Sequence, residues 1–499
     1  MNNRPNILLI TADQWRGDCL GTVGHPVVKT PHLDTFARSA TVFEQHYAAT
    51  APCSPARASL YTGLYQMNHR VVRNGAPLDH RFDNIARAAR RAGYAPALFG
   101  YTDMSPDPRR HHPNDPLLQS YEGILPGFDL RQGLPENDKP WLSWLAGRGR
   151  DPRGFDQIHH AEPEDGQRIS RKAPSYSRDE TQTAFLTNAF LNWLEEQDGE
   201  SRPWMAHVSF LRPHPPVIVP EPYNTMYDPE DGPEFAGAQS PEEAAALHPL
   251  VAALQQSQLL SSHIPGAKGH VRDMSRSDLK RIRSLYYGMI SEVDAQLGRI
   301  FRAIGEHDDT LIIFTSDHAE MMGDHWMLGK GGFYRQSYHI PLIIRMPGGS
   351  KANRVTAYTS SVDIFPTLLD LLDIEPGHAP DGDTLRPFLK GDLPHAWRDS
   401  ALWEFDFRQL LNKWPHLFQS GTTRHAPALL SRYGADWQYV HIPGAESLLL
   451  PSGQPSGPPL NLAASHPQIV QENLAYLLSE RMRHNDETLA RKMVWDYYS

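Results

Sequence analysis

The chain lacks the features that define several protein classes. Two cysteines, Cys19 and Cys53, in 499 residues cannot build a disulfide framework. No apolar run is long enough to span a bilayer. The opening Met1-Asn2-Asn3-Arg4-Pro5 leads into a short apolar stretch without a signal peptide's long hydrophobic run and small-residue cleavage site. Basic charge is not in excess: 48 Lys and Arg face 58 Asp and Glu, a formal net charge of -10. That argues against a nucleic-acid-binding face and gives anions no global attraction, so an anionic ligand must be held by local cations. No internal repeat is apparent. These absences predict a protein of the reducing cytoplasm with neither membrane nor nucleic acid as partner.

What is present is an ordinary globular composition, 40% hydrophobic and 21% charged, with 43 prolines that call for long, ordered, irregular loops. The length exceeds what one core usually supports. The predicted division is a large domain over 1–384 and a smaller α+β domain over 385–499. In the first, short apolar runs end abruptly in polar residues. Asn6 to Ile10 meets Asp13-Gln14, Ala95 to Gly100 meets Tyr101-Thr102-Asp103, and Met205 to Leu211 meets Arg212-Pro213-His214. Thr310 to Phe314 meets Asp317-His318, and Pro341 to Arg345 meets Met346-Pro347-Gly348. Runs apolar throughout suit strands buried on both faces of a parallel sheet, whose ligands bind beyond the carboxyl ends. Amphipathic helices are predicted over 82–92, 181–196, 278–306 and 361–372, so the fold class is α/β, a mostly parallel central sheet flanked by helices. The stretches 103–177 and 213–274 read as functional loops. In the second domain, 436–442 and 446–450 read as antiparallel strands, followed by a helix over 467–493.

Asp13, Gln14, Asp317 and His318 sit at the ends of two predicted strands. Three oxygen donors and one nitrogen suit calcium, magnesium or manganese better than structural zinc. Between them, Cys53-Ser54-Pro55-Ala56-Arg57 opens a predicted helix that runs on through Ala58-Ser59-Leu60. A helix N-terminus lowers the pKa of a nucleophile and offers N–H donors to an anion. Pro55 suits a first turn, and Arg57 could bridge the nucleophile and an anionic oxygen through its planar fork.

The pentapeptide has the form C-x-P-x-R. With Asp13-Gln14-Trp15-Arg16, Leu64 to Arg70, Gly100-Tyr101-Thr102, Arg212 to Pro216, Phe314 to His318, Leu328-Gly329-Lys330 and Trp403 to Arg408, the chain resembles the sulfatase branch of the alkaline phosphatase superfamily. Within it, the likeness is greatest to the phosphonate monoester hydrolases and related bacterial arylsulfatases. The resemblance implies an alkaline phosphatase-like fold and formylglycine made from Cys53 by a formylglycine-generating machinery. It implies one divalent metal, manganese or calcium, on Asp13, Gln14, Asp317, His318 and the modified Cys53. Arg57 would hold the formylglycine, Lys330 would contact substrate and nucleophile, and His214 would donate to the leaving oxygen. Asn74 and Tyr101 would line the anion pocket. The hydrated aldehyde would attack sulfur or phosphorus, and the covalent ester would release the acid by re-forming the aldehyde. The substrate would be a small sulfate or phosphonate ester.

Four departures from the family pattern matter. Gln14 stands where many sulfatases have Asp, and His318 where they have Asn, which removes charge from the metal shell. Ala56 replaces a common Ser. Asp103 stands where the phosphonate group is expected to carry Thr, and a carboxylate there would disfavour dianions. The expected activity is hydrolysis of sulfate esters, with phosphonate monoesters and phosphodiesters in the same site. Two alternatives stay open: a primarily phosphonate monoester hydrolase or phosphodiesterase, and a metal phosphodiesterase with an unmodified Cys53. The long loops and the aromatic end, Val494-Trp495-Asp496-Tyr497-Tyr498-Ser499, predict a homo-oligomer, a dimer or tetramer.

Overall fold

The computed structural model describes residues 4–151, 154–197, 202–305, 309–349, 352–418, 427–453, 457 and 460–485. The end of the predicted 467–493 helix and the aromatic end of the chain therefore lie outside the described residues.

Eight strands form the large sheet: β1 (Asn6–Ala12), β2 (Thr41–Tyr47), β3 (Ala97–Gly100), β4 (Asp129–Gly133), β5 (Met205–Phe210), β6 (Thr310–Thr315), β7 (Leu342–Arg345) and β8 (Asn353–Ser360). Their order is β4-β3-β5-β1-β6-β7-β2-β8. β1 lies between β5 and β6, parallel to both, with Thr11 opposite Thr315. The alternation along β1 shows why such runs are apolar throughout. Leu8 and Ile10 point into one core and Ile7 and Leu9 into another, so both faces are covered. The first face carries the helices Gln182–Glu196 and Arg276–Ile304, the second the helices Cys53–Thr62, Ile85–Arg91 and Ile364–Leu372. The longest helix starts at a capping box between Ser275 and Asp278 and stops at Gly305.

Several strands differ from the sequence reading, which did not predict β2, β4, β8 or the strands at 401–406 and 428–433 and took β7 as parallel. β7 runs antiparallel to β6 and β2. Its run is apolar because both faces are buried, and burial says nothing about direction. Met346-Pro347-Gly348 therefore leave from the edge opposite Asp13 and Asp317. β2 was not predicted, because Glu44 and Gln45 interrupt its apolar pattern where the pairing with β8 shifts register. The 103–177 loop also holds β4 and the helix Lys139–Gly147, and the 213–274 loop holds the helices Pro241–Ala246 and Pro249–Ser257.

A second sheet, fully antiparallel, has the order β12-β11-β10-β9, with β9 (Ala401–Asp406), β10 (Ala428–Tyr433), β11 (Trp437–His441) and β12 (Leu448–Pro451). The helix Pro467–Arg483 packs on it through Leu477, with Arg432 against Tyr476 and hydrogen-bonded to Asn473. The small sheet presses on the loop that carries Lys330. A Cβ at Gly331 would come within 2.9 Å of the Phe405 ring, and φ there is +111°. Gln438 donates to the Phe333 carbonyl. Glu404 accepts from the Met67 N–H at 2.8 Å, which fastens β9 to the segment just after the Cys53–Thr62 helix.

Candidate active site

The site lies beyond the carboxyl ends of β1, β3, β5 and β6. Asp13 and Gln14 follow β1, Asp317 and His318 follow β6, Tyr101 and Asp103 follow β3, and His214 follows β5. Gly100 makes the turn out of β3 at φ +109°, and a Cβ there would strike the Ser209 carbonyl at 2.1 Å. Cys53 is the first residue of a helix whose ten residues are all buried. A carbon–sulfur side chain is thereby brought to the strand tips by packing along an entire helix.

Ligand atoms of Asp13, Cys53, Asp317 and His318 all lie within 4.8 Å of one another. Cys53 Sγ is 3.2 Å from His318 Nε2. His318 Nδ1 faces the Ala319 carbonyl at 3.2 Å, the arrangement that assigns the ring proton to Nδ1 and turns the Nε2 lone pair inward. Burial holds this imidazole low, at about 3, so it is neutral and able to ligate. Asp13 Oδ1 is buried and accepts no hydrogen bond from a described residue. A buried lone pair left open beside an inward-facing imidazole and a second carboxylate fits a divalent cation. Burial and the neighbouring Asp13 charge push Asp317 upward, a repulsion that such a cation would relieve. Against its burial, His214, His318, Arg57 and Lys330 hold Asp13 well below the usual carboxylate range.

Arg57 lies beneath this cluster, fully buried. Its Nε donates to Asp317 Oδ2 at 3.0 Å, Nη2 to Asp13 Oδ2 at 3.1 Å and Nη1 to Ser209 Oγ at 2.9 Å. The guanidinium also lies 4.3 Å from the centre of the Tyr101 ring, and the Tyr101 hydroxyl donates to Asp13 Oδ2 at 2.6 Å. The expected bridge to a substrate oxygen is not what these bonds make. A buried guanidinium must satisfy its donors locally, and the two carboxylates do so. Gln14 also differs from expectation in its neighbours. Its Oε1 accepts from Lys330 Nζ at 2.7 Å and its amide nitrogen donates to Glu320. Against its burial, Cys53, Asp13, Asp317 and Glu320 hold the Lys330 ammonium above its ordinary value.

A cavity of about 640 Å³ opens from Cys53. Asn74, Tyr101, Asp103, His214 and Lys330 all line it. Asn74 Oδ1 accepts the Ser54 N–H at 3.0 Å, one of the free donors of the helix start. His214 Nδ1 faces the Pro215 carbonyl at 2.8 Å, which leaves Nε2 for the cavity, and Arg212 grips the same turn by donating to the His214 carbonyl at 3.0 Å. Burial and then Lys330 lower His214 to about 3. The lowered thiol pKa expected at a helix N-terminus is corrected: burial, then the charges of Asp13, Asp317 and Asp103, push Cys53 well above its ordinary value. Burial, together with the nearby carboxylates, outweighs the half-charge of one helix end.

The sequence reading missed Ser209 and Glu320. Ser209 had a signal. With His207 it is polar at alternate positions of a buried strand, and it also accepts from Thr11 at 3.1 Å. Glu320, two residues past His318, accepts from the Met322 N–H at 2.9 Å and from the Gly329 N–H, tying the His318 turn to the Lys330 loop.

This parallel-sheet fold, with carboxylates, imidazole and a candidate nucleophile gathered at the strand ends, is that of a hydrolase of the alkaline phosphatase superfamily. The sulfatase family model matches residues 5–374, and the chain belongs to that family. The crystal structure of a phosphonate monoester hydrolase from Agrobacterium radiobacter superposes with a TM-score of 0.94 at 53% identity, covering 99% of this chain and 98% of that one. A multifunctional alkaline phosphatase superfamily protein, PehA, from Trinickia caryophylli is 36% identical over 97% of both chains. An arylsulfatase from Clostridium perfringens is 30% identical over 81% of this chain and 82% of its own length. Sulfatases generally use a divalent metal and formylglycine, and the four clustered side chains are a candidate place for both.

Proposed function

We propose that this chain hydrolyses sulfate esters, and phosphonate monoesters and phosphodiesters in the same site, with one divalent cation and a formylglycine made from Cys53. The observation that carries the reading is the meeting of Cys53 with Asp13, Asp317 and His318 at the mouth of the cavity. Asp13, Asp317, His318 and the oxidised residue 53 would hold the cation, with Gln14 beside them. Manganese or calcium suits this donor set, and the cation would supply charge neutralisation and Lewis acidity. The aldehyde, as its hydrate, would supply a nucleophile that can release its acid without a second attack at sulfur or phosphorus.

The chain's own residues do the rest. Arg57 fixes the two carboxylates and places a cation under the reacting centre. Lys330 faces the substrate's non-bridging oxygens, and Asn74 and the helix start offer donors to them. His214 offers Nε2 to the leaving oxygen. Its low pKa means that donation requires the anionic substrate to stabilise the imidazolium.

The test is turnover of 4-nitrophenyl sulfate, a phenyl phosphonate monoester and a phosphodiester, measured on protein co-expressed with a formylglycine-generating enzyme. Chelation should abolish turnover and manganese or calcium should restore it. Turnover of none of the three esters would reject the reading. The kinship with the Agrobacterium phosphonate monoester hydrolase favours a second ordering, in which phosphonate monoesters and phosphodiesters outrank sulfates.

Asp103 is placed to discriminate charge. It is 5% exposed, and Arg57 Nε lies 3.8 Å from it. Above about pH 8, where Asp103 is ionised, Asp103→Thr is expected to raise kcat/KM for phosphate monoesters relative to sulfate monoesters by about tenfold, ~1.4 kcal/mol at the transition state. An unchanged ratio would dismiss the role.

Leu474, Leu478 and Met482 recur every fourth residue on the outer face of the helix Pro467–Arg483 and are 43%, 60% and 66% exposed. This stripe supports a homo-oligomer, dimer or tetramer. Light scattering should return a multiple of 56.3 kDa, and Leu478→Glu with Met482→Glu should shift it toward the monomer. A monomeric parent would refute the assembly. No described helix is long and apolar enough to cross a membrane, and both cysteines are free, which supports a cytoplasmic address.

A further inference from the structure

Beyond the reacting centre, the cavity wall has an unexpected charge. Asp103, Glu122 and Glu136 line it, and Lys330, the one Lys or Arg among the described residues of that lining, is hydrogen-bonded to Gln14. Glu122 accepts from the Glu136 backbone N–H, which ties the Glu122 carboxylate to the backbone of the segment that carries Glu136. Neither forms an ion pair with a described residue. Asp103 is buried and accepts no hydrogen bond from a described residue, with Arg57 Nε 3.8 Å away as its neighbouring cation. The nearest guanidinium nitrogen, Arg57 Nε, gives its hydrogen to Asp317 instead. Burial pushes the Asp103 carboxyl up to about 8 against the pull of Arg57, and partial burial raises Glu122, while Glu136 is exposed. On the approach to a site for anions, such a wall repels a simple anionic ester. It would attract a substrate whose far end is positive, and Leu134, Leu211 and Pro265 offer apolar surface for methyl or methylene groups around that charge.

We propose that Glu122 and Glu136, with Asp103 deeper, form a subsite for a cationic leaving group, so that the preferred substrates are zwitterions: a sulfate, phosphonate or phosphodiester head on an alcohol bearing an amine or quaternary ammonium. The proposal rests on the ester-hydrolase reading and adds its substrate class. The test uses two esters matched in shape, 3-(trimethylammonio)phenyl sulfate and 3-tert-butylphenyl sulfate, and the corresponding pair of methylphosphonate monoesters. The ammonium also activates the leaving group, so the readout is the cation-to-neutral ratio of kcat/KM in the parent divided by that ratio in Glu122→Gln, Glu136→Gln and the double variant. This quotient should be about tenfold or more for the double variant, and the parent's preference should shrink as salt is raised. A quotient near one in all three variants overturns the proposal. Calorimetric binding of benzyltrimethylammonium reads the wall without turnover. Binding to the parent that is lost in the double variant supports the subsite, and no binding to the parent overturns it. Ammonium binding without cleavage of any ester would reject the hydrolase reading and leave the subsite standing.

Discussion

Replacing Cys53 with Ala is expected to lower kcat/KM by about 10⁴-fold or more, whichever ester is used. The side chain is 5% exposed and small, so the fold should survive, and thermal unfolding should report a near-parental midpoint. Cys53→Ser separates oxidation from mere nucleophilicity. A serine could attack once, but its ester has no aldehyde to re-form. The expected result is a stoichiometric sulfate or phosphonate adduct on residue 53, seen by intact mass, with no steady turnover. In the parent, the peptide bearing Cys53 should be lighter than the thiol form and should react with hydrazines. If Cys53→Ser turned over at the parental rate, or the active parent carried only thiol, the aldehyde would have no part in the chemistry. A thiolate phosphodiesterase would then be the better account.

Arg57→Ala should have the largest effect on stability. The guanidinium is fully buried and holds Asp13 and Asp317 at 3.1 and 3.0 Å. Removing one partner of a buried ionic cluster costs about 3–5 kcal/mol, because uncompensated charge remains. Urea unfolding should show the loss as a lower midpoint with an unchanged slope. Added manganese or calcium should recover part of it by taking over the neutralisation of the carboxylates. Arg57→Lys keeps the charge and loses the fork, so it should recover stability more than activity. A loss in Arg57→Ala below about 1 kcal/mol would mean that the carboxylates do not depend on Arg57 for their charge balance.

The amino-acid pattern made some elements legible and hid others for definite reasons. The runs at Asn6 and Thr310 were readable as strands because strands covered on both faces admit little that is polar, and the Met205 run was readable despite His207 and Ser209. The same property hid the reversal of β7, since its burial is identical in either direction. β2 was hidden by Glu44 and Gln45, which sit where the strand shifts register against its neighbour. Asp13, Cys53, Asp317 and His318 were legible because strand ends and a helix start converge at one edge of such a sheet. What Arg57 bonds to was not. An arginine one turn into a helix can face substrate or core, and only the packing of all ten helix residues decides for the core. Glu122 and Glu136 lay in a stretch with no periodicity, where nothing in the sequence marks which residues face the cavity.

The backing of Gly331 by Phe405 has a consequence for how this protein can be altered. The loop that carries Lys330 is backed at Gly331 by the Phe405 ring of β9, while the ammonium itself is bonded to Gln14. The second sheet is thus a foundation and not an appendage. Exchanging it for a relative's counterpart would retune catalysis through the footing of one loop, with every reacting side chain left untouched.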